Sequence, residues 1–366
     1  MNSLIKLPIM TLLGFVTLGT VAAAQSICTQ SADNSTITVP WATGCVFGGP
    51  IGSASSRIAG ETAWMRRYSP ATDCMAANGV SIGAVHFGIQ EAFAGPASNG
   101  LVAVEVRLYK IDPMLPLKFM HMDLVHDERL MIPAQTQTHL VAPLPRPVYI
   151  AAGYDVVVEV YQPDGFWSQD FFRPGTNGIG ETSPTYVFGA CTAMLSPDPV
   201  TAASLGAFGG NPAMQVILDL EYTPGIGARY CSPATANSTG SAATIGVAGS
   251  PRAADNDLTL HGSDFPVGSF AFFLTSMSQG FVAGAGGSQG NLCLGSSIGR
   301  YVAPGQIQQA VNGAVSLALD LTQTPTPTGL VSVMGGETWS FQAWYRDTNA
   351  GMPTSNFSDA ITVAFF

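Results

Sequence analysis

Residues 101–109 alternate strictly, with Val102, Val104, Val106 and Leu108 on one side and Glu105, Arg107 and Tyr109 on the other. A period of two is the signature of a half-buried strand. Comparable runs occur at 62–68, 82–93, 139–144, 155–161 and 214–222, separated by turns rich in Gly, Pro and Asn. A second set follows at 243–247, 258–261, 270–275, 292–294, 315–321, 339–346 and 360–366. No long segment has a 3.6-residue period, and only residues 306–312 read as one short helical turn. With 41 Gly, 25 Pro and 10% charged residues the chain could be disordered, but 46% hydrophobic residues arranged in strand-like runs argue for a folded, turn-rich protein. The expectation is an all-β chain of two consecutive antiparallel β-sandwiches, jelly-roll-like in topology.

The two sets of runs meet at residues 227–240. There an alternating run has ended at Pro224-Gly225, and Cys231 and a stretch of small polar residues precede the next run. This reads as a closing strand, a linker and an opening strand, placing the domains at 25–226 and 227–366. Residues 1–24 read as a secretory leader, with Lys6, an apolar core over 7–21 and the small residues Ala22, Ala23 and Ala24 at the cleavage site. Cleavage leaves 342 of the 366 residues, and 13 of the 14 basic side chains against 24 acidic ones, a net charge of −11. That balance disfavours nucleic acid as a partner, since phosphate binding needs a concentrated basic surface. No later apolar stretch is long enough to span a bilayer as a helix. The terminal Phe366 is an ending that outer-membrane barrels share, but short Gly-rich strands suit a sandwich better.

Six cysteines, Cys28, Cys45, Cys74, Cys191, Cys231 and Cys293, all follow the leader. An even number in an exported chain points to disulfides, and no CxxC pair suggests zinc. If pairing respects the domain boundary, Cys231 joins Cys293. Among the first four, the expected bonds are Cys28–Cys45 and Cys74–Cys191.

Several stretches of the second domain carry a resemblance: 230–240, 287–295, Arg300-Tyr301 and 339–347. Together they resemble a C-terminal module of secreted proteins from planctomycete-like bacteria, attached there to varied N-terminal parts. The first domain, through 85–89, 107–109, 158–160 and 171–177, resembles accessory β-sandwich modules of secreted surface or adhesive proteins. The resemblance implies an extracellular protein and supplies no catalytic residues.

Five motifs could carry chemistry. Residues 286–290 match GxSxG, but a strand-like run follows Ser288 and no histidine comes later than His261, so a nucleophile elbow is rejected. Residues 120–128 gather His121, Asp123 and His126, side chains able to ligate a metal; on a strand, His121 and Asp123 share a face and His126 points away. Residues 347–351 begin like a calcium loop but lack its third ligand, and Ser358 stands where a bidentate Glu belongs, so a turn is expected there. A structural calcium elsewhere is the one cofactor the composition leaves open. The sequons at Asn34, Asn237 and Asn356 matter only where the cell glycosylates them. The fifth stretch is 162–172, in which Pro163-Asp164-Gly165 signals a turn with Phe166 and Trp167 near its apex. One reading makes Phe166 and Trp167, with Asp170 and Asn177, a sugar platform of an aromatic face and oriented polar groups. The other folds Trp167 back as a cap on the sandwich edge. Trp64, Trp339 and Trp344 lie in alternating runs and are expected in the core.

These readings lead to a non-enzymatic secreted protein that binds a glycan or a surface or matrix component. An alternative is a structural subunit that assembles with copies of itself. The third is a polysaccharide-active enzyme, which would need two facing carboxylates about 5–9.5 Å apart, with Glu105 and Glu159 as the strand-borne candidates.

Overall fold

The computed structural model describes residues 26–31, 37, 46–47, 58–165, 167–177, 182–189, 192, 196–208 and 215–366. Residues 1–24, where a leader is expected, and Cys45, Phe166 and Cys191 lie outside the described residues. The chain is all β, its only helical elements among the described residues being short 3-10 turns.

In the first sandwich one sheet runs in the order Val200–Thr201, Tyr186–Gly189, Thr62–Tyr68, Asp155–Gln162, Leu101–Ile111, Asp123–Pro133. The other runs Ser26–Cys28, Leu218–Pro224, Val80–Phe93, Phe171–Pro174, with Gln135–Ile150 along the opposite edge of Val80–Phe93. All pairings are antiparallel. Between the sheets lies a core to which Val102, Val104, Val106 and Leu108 contribute one strand face, meeting Trp64, Phe87 and Phe172. Burying each such aliphatic side chain stabilises the fold by about 1.5–3 kcal/mol. The other face of the six-stranded sheet is covered as well: Met65, Tyr109 and Val157 pack there with Leu117 and Met122 from the segment before Asp123.

The second sandwich sets Ala228–Tyr230, Met352–Ala364, Thr338–Asn349 and Phe270–Ser276 against the smaller sheet Thr244–Gly249, Leu258–Ser263, Val315–Leu319. Its own core is built on Ile245, Leu260, Trp339, Phe341, Tyr345 and Ile361. Within 306–312, where a helical turn is expected, Gln308–Gln309 is instead a short strand that pairs with Phe270 and Ala271. Trp64 and Trp339 are buried as expected. Trp344 is not in that core: it falls on the opposite strand face, half-buried against Phe272 at 4.9 Å with the Arg346 guanidinium 5.2 Å from its ring.

Cys231 and Cys293 are bonded, as the sequence implies. The first pair differs from expectation: Cys28 bonds Cys74, so neither Cys28–Cys45 nor Cys74–Cys191 forms. The reason is spatial. Ser26–Cys28 pairs with Leu218–Pro224, where the Tyr222 hydroxyl donates to the Cys74 carbonyl, so the ladder delivers Cys28 beside Cys74.

Residues 225–227 join the sandwiches without a free linker, since Gly225 bridges Ala248 and the Ile226 amide donates to the Val247 carbonyl at 2.8 Å. Side chains also interlock across the joint. The Tyr149 ring lies over Gly246, where a Cβ would overlap it, and stacks on His261 with 5.0 Å between centroids and 7° between planes. Ser81 Oγ lies 3.4 Å from His261 Nε2, the Tyr149 hydroxyl donates to the Asn78 carbonyl at 2.7 Å, and Lys110 pairs with Asp264.

Candidate functional site

At the end of the first sandwich away from the joint, two loops cross between its sheets. Residues 163–170 connect Asp155–Gln162 to Phe171–Pro174, and residues 94–100 connect Val80–Phe93 to Leu101–Ile111. Asp170 ties them: its Oδ1 accepts the Gly95 amide and its Oδ2 the Ser98 hydroxyl, both at 2.7 Å. The loops approach so closely that a Cβ on Gly95 would overlap the Ser168 carbonyl oxygen. Below them, Gln162 Oε1 accepts the Phe172 amide at 3.1 Å, and Phe172 sits edge-on to Trp64 and Phe87 at 5.8 and 6.0 Å. Phe171 stacks on Phe93 at 5.7 Å.

Above this fixed base Trp167 is 89% exposed. It does not fold back as a cap on the sandwich edge. The rest of the expected platform divides. Asp170 is spent on holding the loops together, so it positions Trp167 rather than presenting a free carboxylate. Asn177 lies on Thr176–Asn177, paired with Gln215 beyond the Phe171–Pro174 strand.

The expected metal ligands do not converge. His121 ends the 3-10 turn Phe119–His121, with Nδ1 2.9 Å from the Pro116 carbonyl. Asp123 and His126 belong to Asp123–Pro133, and a bulge there leaves Val125 without a partner between Leu124↔Tyr109 and His126↔Leu108. The extra residue resets the alternation, so Asp123 and His126 share a side, contrary to the simple parity. Among the described residues no three His, Cys, Asp or Glu side chains gather as a metal site. Asp347, at the start of the calcium-like stretch, accepts the Ser238 and Thr348 amides at 3.1 and 2.8 Å, and Ala350-Gly351 forms the tip of a hairpin. Ser288 of the GxSxG stretch donates to the Ser355 carbonyl at 2.8 Å and is followed by the strand Asn291–Leu294. Asn237 and Asn356 are buried, and their amide nitrogens donate to backbone carbonyls, which removes them as glycan acceptors.

Glu105 and Glu159 do meet, but around a cation. Arg107 pairs with Glu105 and, at 2.9 Å, with Glu159; its side chain also lies 3.6 Å from Asp127 and 4.2 Å over the Tyr161 ring. Glu159 is 1% exposed and takes the Tyr109 hydroxyl at 2.8 Å. Burial raises its carboxyl above the usual range, while Arg107 and Tyr109 pull it back. A guanidinium thus fills the gap that glycoside hydrolysis would need between this pair. The sequence marks Glu105 and Arg107 as one strand face but gives no sign that Glu159, Tyr161 and Asp127 join them from neighbouring strands.

Comparison with protein-family models finds none that matches this chain, and no curated protein matches it.

Proposed function

We propose that this is an exported, non-catalytic binding protein that engages an extracellular glycan or matrix component through the tip carrying Trp167. The observation that carries the reading is the exposure of that ring, 89%, on a loop whose base is fixed by Asp170 and the buried Phe171-Phe172 pair. Indole rings offer a large rigid surface at small entropic cost, and exposing one to water is unfavourable unless a partner covers it. Export is supported by the leader-like residues 1–24 and by two disulfides.

The test is a glycan array probed with wild type and Trp167→Ala. A discrete set of bound glycans, lost in the variant while thermal unfolding is unchanged, is the expected result. Hits that persist in Trp167→Ala would overturn the assignment. Concentration-dependent polymers with no glycan bound would favour the self-assembly reading.

A further inference from the structure

At the opposite end of Val80–Phe93, a cleft of about 560 Å³ opens between the two sandwiches. Its volume lies within the range of small-molecule sites, about 300–1,000 Å³. The first sandwich contributes the start of Asp123–Pro133 and a proline-rich protrusion; the second contributes the turns around Asp264 and Gly313.

The protrusion comes from an irregularity in the ladder. Pairing between Val80–Phe93 and Gln135–Ile150 jumps from Ile82↔Val148 to Ala84↔Pro143, so residues 144–147 stand opposite Gly83 alone. Within them Arg146 is held between Pro145 and Pro147, whose rings fix the backbone on either side. Arg146 lines the cleft and has no ion-pair partner among the described residues. Of the other charged groups on the wall, Lys110 pairs with Asp264 and lies 4.0 Å from Asp123, Asp127 lies 3.6 Å from Arg107, and His126 Nε2 lies 3.5 Å from Glu128 without a hydrogen bond. His261 is buried beneath Tyr149. Beside Arg146 the cleft is apolar, for the exposed Leu124, Val267 and Val311 all line it, one from the first sandwich and two from the second.

We propose that this cleft binds a small amphipathic anion, a carboxylate on an apolar body, with Arg146 taking the carboxylate and Leu124, Val267 and Val311 covering the body. A planar guanidinium matches a carboxylate through two parallel hydrogen bonds. Site and tip are separate, because the strand between them spans 14 residues, about 45 Å.

The experiment is calorimetric titration of the full chain with decanoate and with decan-1-ol. Wild type is expected to bind decanoate saturably at one site and more tightly than the alcohol. Arg146→Ala should weaken decanoate roughly tenfold or more, the worth of one charge-assisted contact, and leave the alcohol unchanged. Val311→Asp, on the other wall, should weaken both probes, and Trp167→Ala neither. Arg146 and Val311 are exposed, so both replacements should fold, which circular dichroism checks. No saturable binding to wild type, equal affinity for the two probes, or decanoate binding indifferent to Arg146→Ala would each overturn the proposal.

Discussion

Asp170 and Trp167 sit three residues apart and have opposite jobs. The carboxylate holds two loops together from a partly buried position, while the indole is presented to water. Replacing Asp170 by Ala leaves the Gly95 amide and the Ser98 hydroxyl without their acceptor, so stability should fall by about 1–3 kcal/mol in urea denaturation. Trp167→Ala should shift it by less than about 0.5 kcal/mol, as surface substitutions do. Equal losses in the two variants would mean that Trp167 is part of the packing after all. Much of this site is beyond a reading of sequence. The Pro163-Asp164-Gly165 turn signals a loop apex, but nothing local says whether an apical Trp turns inward or outward. The acceptor role of Asp170 depends on a loop some 70 residues earlier in the chain, as its bonds to Gly95 and Ser98 show.

Single elements were legible where their neighbours impose nothing unusual. Residues 102, 104, 106 and 108 are buried as their alternation requires, because a period of two survives any regular ladder. Parity fails where the ladder slips: Val125 reverses the sides expected for Asp123 and His126, and residues 144–147 swing out of register to carry Arg146 into the cleft. Both irregularities are decided by the partner strand, which the local sequence does not name. His261, on Leu258–Ser263, shows what such an element can hide, as it carries a titratable ring into the joint. Burial lowers its pKa from the ordinary 6.5 to about 4. The folded protein therefore prefers the neutral ring, so the contribution is complete above pH 6.5 and is lost as the pH falls from 6.5 towards 4, at up to about 1.4 kcal/mol per pH unit. Glu159, Asp219 and Asp359, whose carboxyls burial raises, bias the acid limb the other way, so the informative quantity is a difference. Unfolding free energies of wild type minus His261→Gln should decline with acidity across that window. A pH-independent difference would show that His261 is not buried neutral.

At the scale of the whole molecule, the two cores are separate clusters joined by a small polar and aromatic contact. Residues 25–226 and 227–366 expressed apart should each unfold cooperatively, because each keeps one of the two described disulfides and nearly all of its core, Ile226 alone being parted from the second cluster. Each piece should also melt below the intact chain, since separation exposes Tyr149 and His261. A piece without a cooperative transition would place the boundary elsewhere. The change of pattern at 227–240 lies just after the change of core, since Tyr222 belongs to the first cluster and Ile226 packs against the second. The joint itself was not legible, since Tyr149, Gly246 and His261 approach one another only in three dimensions. The strand Val80–Phe93 reaches from that joint to the Trp167 tip, flanked along most of its length on both sides. A tensile load applied at the tip along that axis would therefore be shared in shear by many hydrogen bonds at once, rather than opening them one after another.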